Sequence, residues 1–374
     1  MAEFIPIQSL CILLCENAYG ADAKKTGAPM LLEYVPSDLN IQLLFGMALG
    51  VLFGIAAQIS RFCLRRSVAG EEGVDRAGLS VWLLALATAI AAVQIAVGAG
   101  YAVLDESRYL NADIPALAIV IGGLAFGVGM VLTRGCVTRL TVLSATGNMR
   151  ALTVLVVFAI TAHAMMKGIL APLRTTLGDI SFELPFATIA AVPGISVALP
   201  LALLGGGVWL ARRGGASVLH LSLGAFIGLL VAVGWVGTST LLMDEFDPSP
   251  VQSIAFTLPW TDSLFWVIAS TAIPAGFGPG LVGGVMVGAF FSALARSELV
   301  LVSFAEPQQT VRYGAGGVLM GIGGVLAGGC TIGAGLSGVA TLSVSAMLAL
   351  VAIVTGAVVA RYVMGLRPAS ALLA

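Results

Sequence analysis

Long apolar runs broken by short polar stretches fill this chain from residue 39 onward. A helix needs roughly 20 mainly apolar residues to cross hydrocarbon, and the runs predict nine such segments, at 39–60, 79–104, 114–132, 151–166, 195–211, 218–241, 264–295, 311–327 and 343–364. The seventh is too long for one straight span and contains Pro274 and Pro279. It is expected to break into a half-helix and a restart, because proline removes a backbone donor and clashes with the preceding turn. The predicted fold class is an all-α polytopic membrane protein with re-entrant half-helices.

The pattern also repeats. Residues 123–136 read GLAFGVGMVLTRGC and residues 317–330 read GVLMGIGGVLAGGC, identical at seven of fourteen positions and ending on Gly135-Cys136 and Gly329-Cys330. Nine alternating spans deliver the two cysteines to opposite sides, so the units form an inverted-topology repeat of the kind that builds a substrate site near the bilayer midplane. The expected division is an N-terminal extension at 1–38, signal-like or a surface helix, a first membrane repeat at 39–194 and a second at 195–374. Both cysteines lead into segments too polar or too glycine-rich for lipid: Thr138, Arg139, Ser144 and Thr146 in one, Gly333, Gly335, Ser337 and Gly338 in the other. Irregular backbone at that depth is tolerated only inside protein or along a cavity. Free N–H groups at half-helix starts favour an anion.

Composition narrows the class. Apolar residues make up 59% and charged residues only 10%, against about 25% in soluble domains. A net charge of −1 argues against a nucleic-acid partner. Five cysteines and two histidines are too few and too scattered for a disulfide scaffold or a metal centre, and no phosphate-binding Gly-x4-Gly-Lys motif is present, so no cofactor or metal is expected. Lys and Arg set orientation. With the N-terminus outside and the C-terminus in the cytoplasm, thirteen of the eighteen fall on the inner side, including Arg61, Arg65, Arg66, Arg134 and Arg139.

A third cysteine, Cys63, follows the close-packing stripe Gly46-x3-Gly50-x3-Gly54, which recurs as Gly224 and Gly228 without a thiol. Cys11 and Cys15 read as packing residues, as do His163 and Trp235. Lys167 and Arg174 close the fourth span and either attract anions or snorkel. Unpaired thiols along a pathway suit weak S–H donation to a polarizable sulfur atom. Arg139, three residues past Cys136, is the best candidate for an anion contact.

The stretches Gly129-Met-Val-Leu-Thr-Arg-Gly-Cys136-Val-Thr-Arg139, 167–174 and 323–338 resemble the YeeE/YedE family of sulfur-compound transporters over roughly residues 40–365. The resemblance implies an hourglass-shaped bacterial inner-membrane fold in which thiosulfate or a similar sulfur oxyanion passes Cys63, Cys136 and Cys330 by S–H hydrogen bonds. The chain departs from the family at Ala334, where many members carry His, and at Arg134, where small residues are common. Two other classes stay open at this point: a sulfur relay handing sulfane sulfur to a cytoplasmic sulfur-carrier protein, and a structural subunit in the lipid bilayer.

Overall fold

Glycine spacing decides how the helices pair in the computed structural model, which describes residues 40–365 apart from 71–72, 105–106, 112, 184–185, 244–249, 272 and 305. Cys11, Cys15 and the 1–38 extension lie outside the described residues. From residue 42 onward the described residues form one compact unit.

The described α-helices, in order, are α1 (Ile41–Ser60), α2 (Leu64–Ala69), α3 (Arg76–Gly98), α4 (Ala116–Leu132), α5 (Val137–Ala145), α6 (Met149–Lys167) and α7 (Ala171–Gly178). They continue as α8 (Ile195–Gly214), α9 (Val218–Val236), α10 (Thr257–Ala269), α11 (Phe277–Ala295), α12 (Pro307–Leu326) and α13 (Val344–Gly365). Wide-turn π segments occupy Gly237–Leu241 and Gly333–Gly338, and one two-stranded antiparallel ribbon joins Asp113–Ile114 to Phe182–Glu183.

Among the described residues, eight helical segments are long and apolar enough to cross a membrane. Of the nine expected, the seventh divides as anticipated into α10 and α11, with the break at 270–276. The eighth becomes α12, a 20-residue helix whose polar first turn and six glycines leave it short of the apolarity of a lipid-facing span. Its place explains this, because it buries Gly316, Gly317, Gly321 and Gly323 against other helices. By contrast α8 buries only Pro200, Gly207 and Ala211 and leaves Leu201 and Trp209 exposed.

The pairings obey a two-fold relation. Helices α4 and α12 run antiparallel: Gly129 presses on the Gly316 carbonyl, and Gly323 presses on that of Gly122. Shifting by the 194-residue repeat offset exchanges these two contacts, which is the mark of a self-complementary interface across a two-fold axis. Antiparallel packing of two repeat copies is what an axis in the membrane plane requires. The same operation exchanges the parallel pair α4–α13, where Gly127 meets Ile353, with the parallel pair α12–α6, where Gly321 meets Phe158. It likewise relates α1–α11, where Gly46, Gly50 and Gly54 interleave with Gly280, Gly284 and Gly288, to α9–α3, where Gly224 and Gly228 meet Val81 and Ala85. At each of these glycines a Cβ would strike a backbone atom of the neighbouring helix, so close packing, rather than flexibility, accounts for much of the glycine content.

Candidate functional site

Each of the three cysteines sits in the same turn. Helix α1 ends in a Schellman cap: Phe62 N–H donates to Ala57 C=O, Arg61 N–H donates to Gln58 C=O, and Arg61 adopts φ 52°. Helix α4 ends identically, with Gly135 N–H donating to Met130 C=O, Arg134 N–H to Val131 C=O, and Arg134 at φ 59°. Helix α12 ends with Gly328 N–H donating to Val325 C=O and Gly328 at φ 72°. In all three the left-handed residue stands two places before the cysteine, and the cysteine opens the next short helix: α2 after Cys63, α5 after Cys136, and the 333–338 segment after Cys330. An arginine in that conformation costs about 1 kcal/mol or more relative to glycine, so two of the three turns are held by their surroundings.

The turns aim the thiols inward. Cys136 and Cys330 are 1% and 0% exposed and Cys63 is 8%. The Cys63 and Cys136 thiols are close neighbours. Beside Cys136 lies the Thr331 hydroxyl, buried and without a hydrogen-bond partner among the described residues. Thr331 joins covalently to Cys330, and the turn at Gly329 and Gly333 brings that loop against the Tyr109 hydroxyl: a Cβ on Gly329 would lie 3.2 Å from it. Gly329 is thus required for close approach, and Gly135 packs on Leu140 while its carbonyl accepts from Thr133 Oγ1 at 2.9 Å.

This string of polar groups has a cavity at each end. Near Cys63 a cavity of about 320 Å³ is lined by Ser60, Arg61, Arg66, His220 and Arg296. Beyond Tyr109 three cavities of about 260, 110 and 270 Å³ share Arg108, with Arg174 in two of them and Lys167 in one. Arg108 Nη2 donates to the Tyr109 hydroxyl at 2.8 Å, and its guanidinium stacks over the same ring. Burial pushes the Tyr109 phenol above its ordinary pKa, partly opposed by Arg108, so it stays a neutral donor.

Backbone donors do not all point at open space, as the sequence had suggested. Gly333 N–H donates to Cys330 Sγ at 3.4 Å, and the backbone of Arg66 and Arg139 lies near Cys63 and Cys136. A thiol that accepts from the backbone keeps its own S–H for a passing group. Arg139 lies behind this line: its Nη1 donates to Gln58 Oε1 at 3.5 Å, and Gln58 Nε2 donates to Glu298 Oε2 at 3.0 Å. Glu298 also pairs with Arg296 at 3.2 Å.

The structure therefore brings together Cys63, Cys136, Cys330, Gly135, Gly329 and Arg139. It adds Tyr109, Thr331, Gln58 and Glu298, which the sequence reading did not single out. Gln58 carried a signal, being an amide inside an apolar run; Tyr109 lies in a loop whose sequence gives none. Lys167 and Arg174 reach the far cavities. His163 stacks on Phe265 at 5.3 Å and Trp235 Nε1 donates to Ser337 C=O at 3.1 Å, so both are packing residues. Ala334 is fully buried beneath Gly329, leaving no room for a larger side chain without movement.

A family model described as sulphur transport matches residues 52–359. The thiosulfate transporter TsuA of Escherichia coli strain K12 is 28% identical over 352 residues, covering 87% of this chain and 96% of the relative. The thiosulfate transporter TsuA of Spirochaeta thermophila is 26% identical over 337 residues, covering 83% of this chain and 96% of the relative.

Proposed function

We propose a route for thiosulfate through this chain, which belongs to the sulphur-transport family, and the route runs past Cys63, Cys136 and Cys330. The protein is a multi-pass membrane protein and a transporter rather than an enzyme. The observation that carries the finer reading is the series of buried thiols and hydroxyls lying between two arginine-lined cavities.

Thiosulfate brings two negative charges and one large, polarizable terminal sulfur. Moving such an ion into a low-dielectric interior is costly unless donors replace its water. Arg108 and Arg174 at one end, and Arg61 and Arg66 at the other, draw it to the mouths. Inside, each cysteine offers one S–H, and the Cys330 sulfur already accepts from the backbone. Thr331 adds an O–H, and Arg139 supplies positive charge from behind the line. Thiol donors are individually weak, and conduction favours sites that bind enough to admit an ion and little enough to release it. Between the two cavities the line is closed by tight packing around Gly135 and Gly329, so passage requires the turns there to move.

We place the protein in a bacterial inner membrane with its N-terminus outside, supported by the arginine bias, so that Cys330 and Tyr109 lie toward the outside and Cys63 toward the cytoplasm. In a strain that depends on thiosulfate as sole sulfur source, Cys136→Ala and Cys330→Ala variants expressed at wild-type levels are expected to fail to support growth. Equal growth would overturn the route. The relay alternative, with delivery to a cytoplasmic carrier, requires a persulfide on one of the cysteines; intact-mass measurement after thiosulfate exposure is expected to find none.

A further inference from the structure

A large cavity lies away from the cysteine line. It is a groove of about 850 Å³ where the end of α4, the start of α12 and the end of α13 converge, and its lining includes Leu132, Arg134, Glu306, Arg312, Val359 and Val363. The floor is apolar and opens sideways, with Val359 and Val363 half exposed. Its lining carries the two guanidiniums and the carboxylate of Glu306, and Arg312 Nε is buried without a hydrogen-bond partner among the described residues.

Two further observations bear on what fills it. The two-fold relation places a matching groove at the opposite end of the molecule, between the start of α4, the end of α12 and the end of α6. There α7 occupies part of it, Leu170 and Leu177 packing on Ala118, Met165 and Leu326, and leaves the cavity of about 260 Å³ beside Arg174. The fold thus builds a slot that takes an apolar filler, and at the Arg134 end no described residue supplies one. In addition, Arg134 occupies the left-handed position that Gly328 occupies in the other repeat. A side chain is retained where glycine is the easier residue, and that side chain lines the groove.

We propose that this groove is a binding site for an anionic phospholipid, its phosphate held between Arg134 and Arg312 and an acyl chain lying along Leu132, Val359 and Val363. Apolar clefts between helix ends with a basic rim suit such headgroups, and the groove opens where lipid is the solvent. A zwitterionic lipid offers the same acyl chain but cancels the charge that the two arginines recognise.

The test uses purified full-length protein in micelles doped with phosphatidylglycerol or with phosphatidylcholine, counting retained lipid by native mass spectrometry. Wild type is expected to keep phosphatidylglycerol in preference. Arg134→Gly and Arg312→Gln are each expected to lower that retention about fivefold. Arg134→Gly should melt no lower than wild type, because it restores the residue the turn favours, so loss of lipid would not reflect unfolding. Unchanged retention in both variants would overturn the proposal. So would displacement of the lipid by millimolar inorganic phosphate, which would make the site one for free anions, or increased lipid retention on deleting residues 366–374, which would make the tail the occupant.

Discussion

At the scale of single residues, the three cysteines are not equivalent. Cys136 touches both Cys63 and Thr331 and is the link between the two halves of the line, so Cys136→Ala is expected to lower thiosulfate uptake more than Cys63→Ala, with Cys136→Ser retaining part of it through its hydroxyl. Rates of uptake at matched protein levels check this ordering. Gly329 tests the turn rather than the thiol. A methyl group there would lie 2.7 Å from the Ala334 nitrogen and 3.2 Å from the Tyr109 hydroxyl, and real Cβ contacts are not that short. Gly329→Ala is therefore expected to abolish uptake while Cys330 itself remains. Gln58→Leu should loosen Arg139 by removing both its hydrogen-bond acceptor and the donor to Glu298, with a several-fold rise in the apparent KM for thiosulfate. The repeat picked out Cys136, Cys330, Gly135 and Gly329 in the sequence, the glycine stripe led to Cys63, and Arg139 stood out three residues past Cys136. Tyr109 and Glu298 were not, since long-range packing alone brings them to the line.

At the scale of elements, the hydrophobic runs located most helices to within a few residues, although the second ended earlier, at Gly98, and the seventh began earlier, at Thr257, and Pro274 marked the break between α10 and α11. Less legible was the fate of the eighth segment. Hydropathy counts apolar side chains, whereas α12 is held by glycine faces packed on α4 and α6, a contact that needs little side-chain apolarity. The α1–α11 pair makes the sharpest test of that packing. Gly284 lies against the Met47 carbonyl with no space for a side chain. Gly284→Val is expected to destabilise the fold by about 1–3 kcal/mol, the usual cost of overpacking, read as a lower melting temperature in detergent. Gly283→Val, one residue away with nothing near its Cβ, is expected to be close to neutral.

At the scale of the whole molecule, the two-fold relation joins the fold to the proposed transport. Because the repeats are inverted, the same helix–turn–cysteine unit presents Cys330 toward one end and Cys63 with Cys136 toward the other, and each end has its own arginine-lined cavity. The sequence announced this symmetry through the Gly-Cys repeat; the exchanged contacts Gly129–Gly316 and Gly122–Gly323 give it a geometric form. The second repeat has no thiol matching Cys63: Phe256 precedes α10 in its place and packs on Phe53 at 5.5 Å, so the line is asymmetric in chemistry although symmetric in backbone. With the N-terminus outside, a membrane-impermeant thiol reagent should label an Arg174→Cys variant from the outside and an Arg66→Cys variant only from the inside. The most direct measurement is uptake of sulfur-labelled thiosulfate by proteoliposomes containing only the purified chain. Wild type is predicted to accumulate label and the Cys136→Ala and Cys330→Ala variants, equally folded and equally inserted, to lose it by at least about tenfold; uptake by those variants at the wild-type rate would contradict a cysteine-lined route.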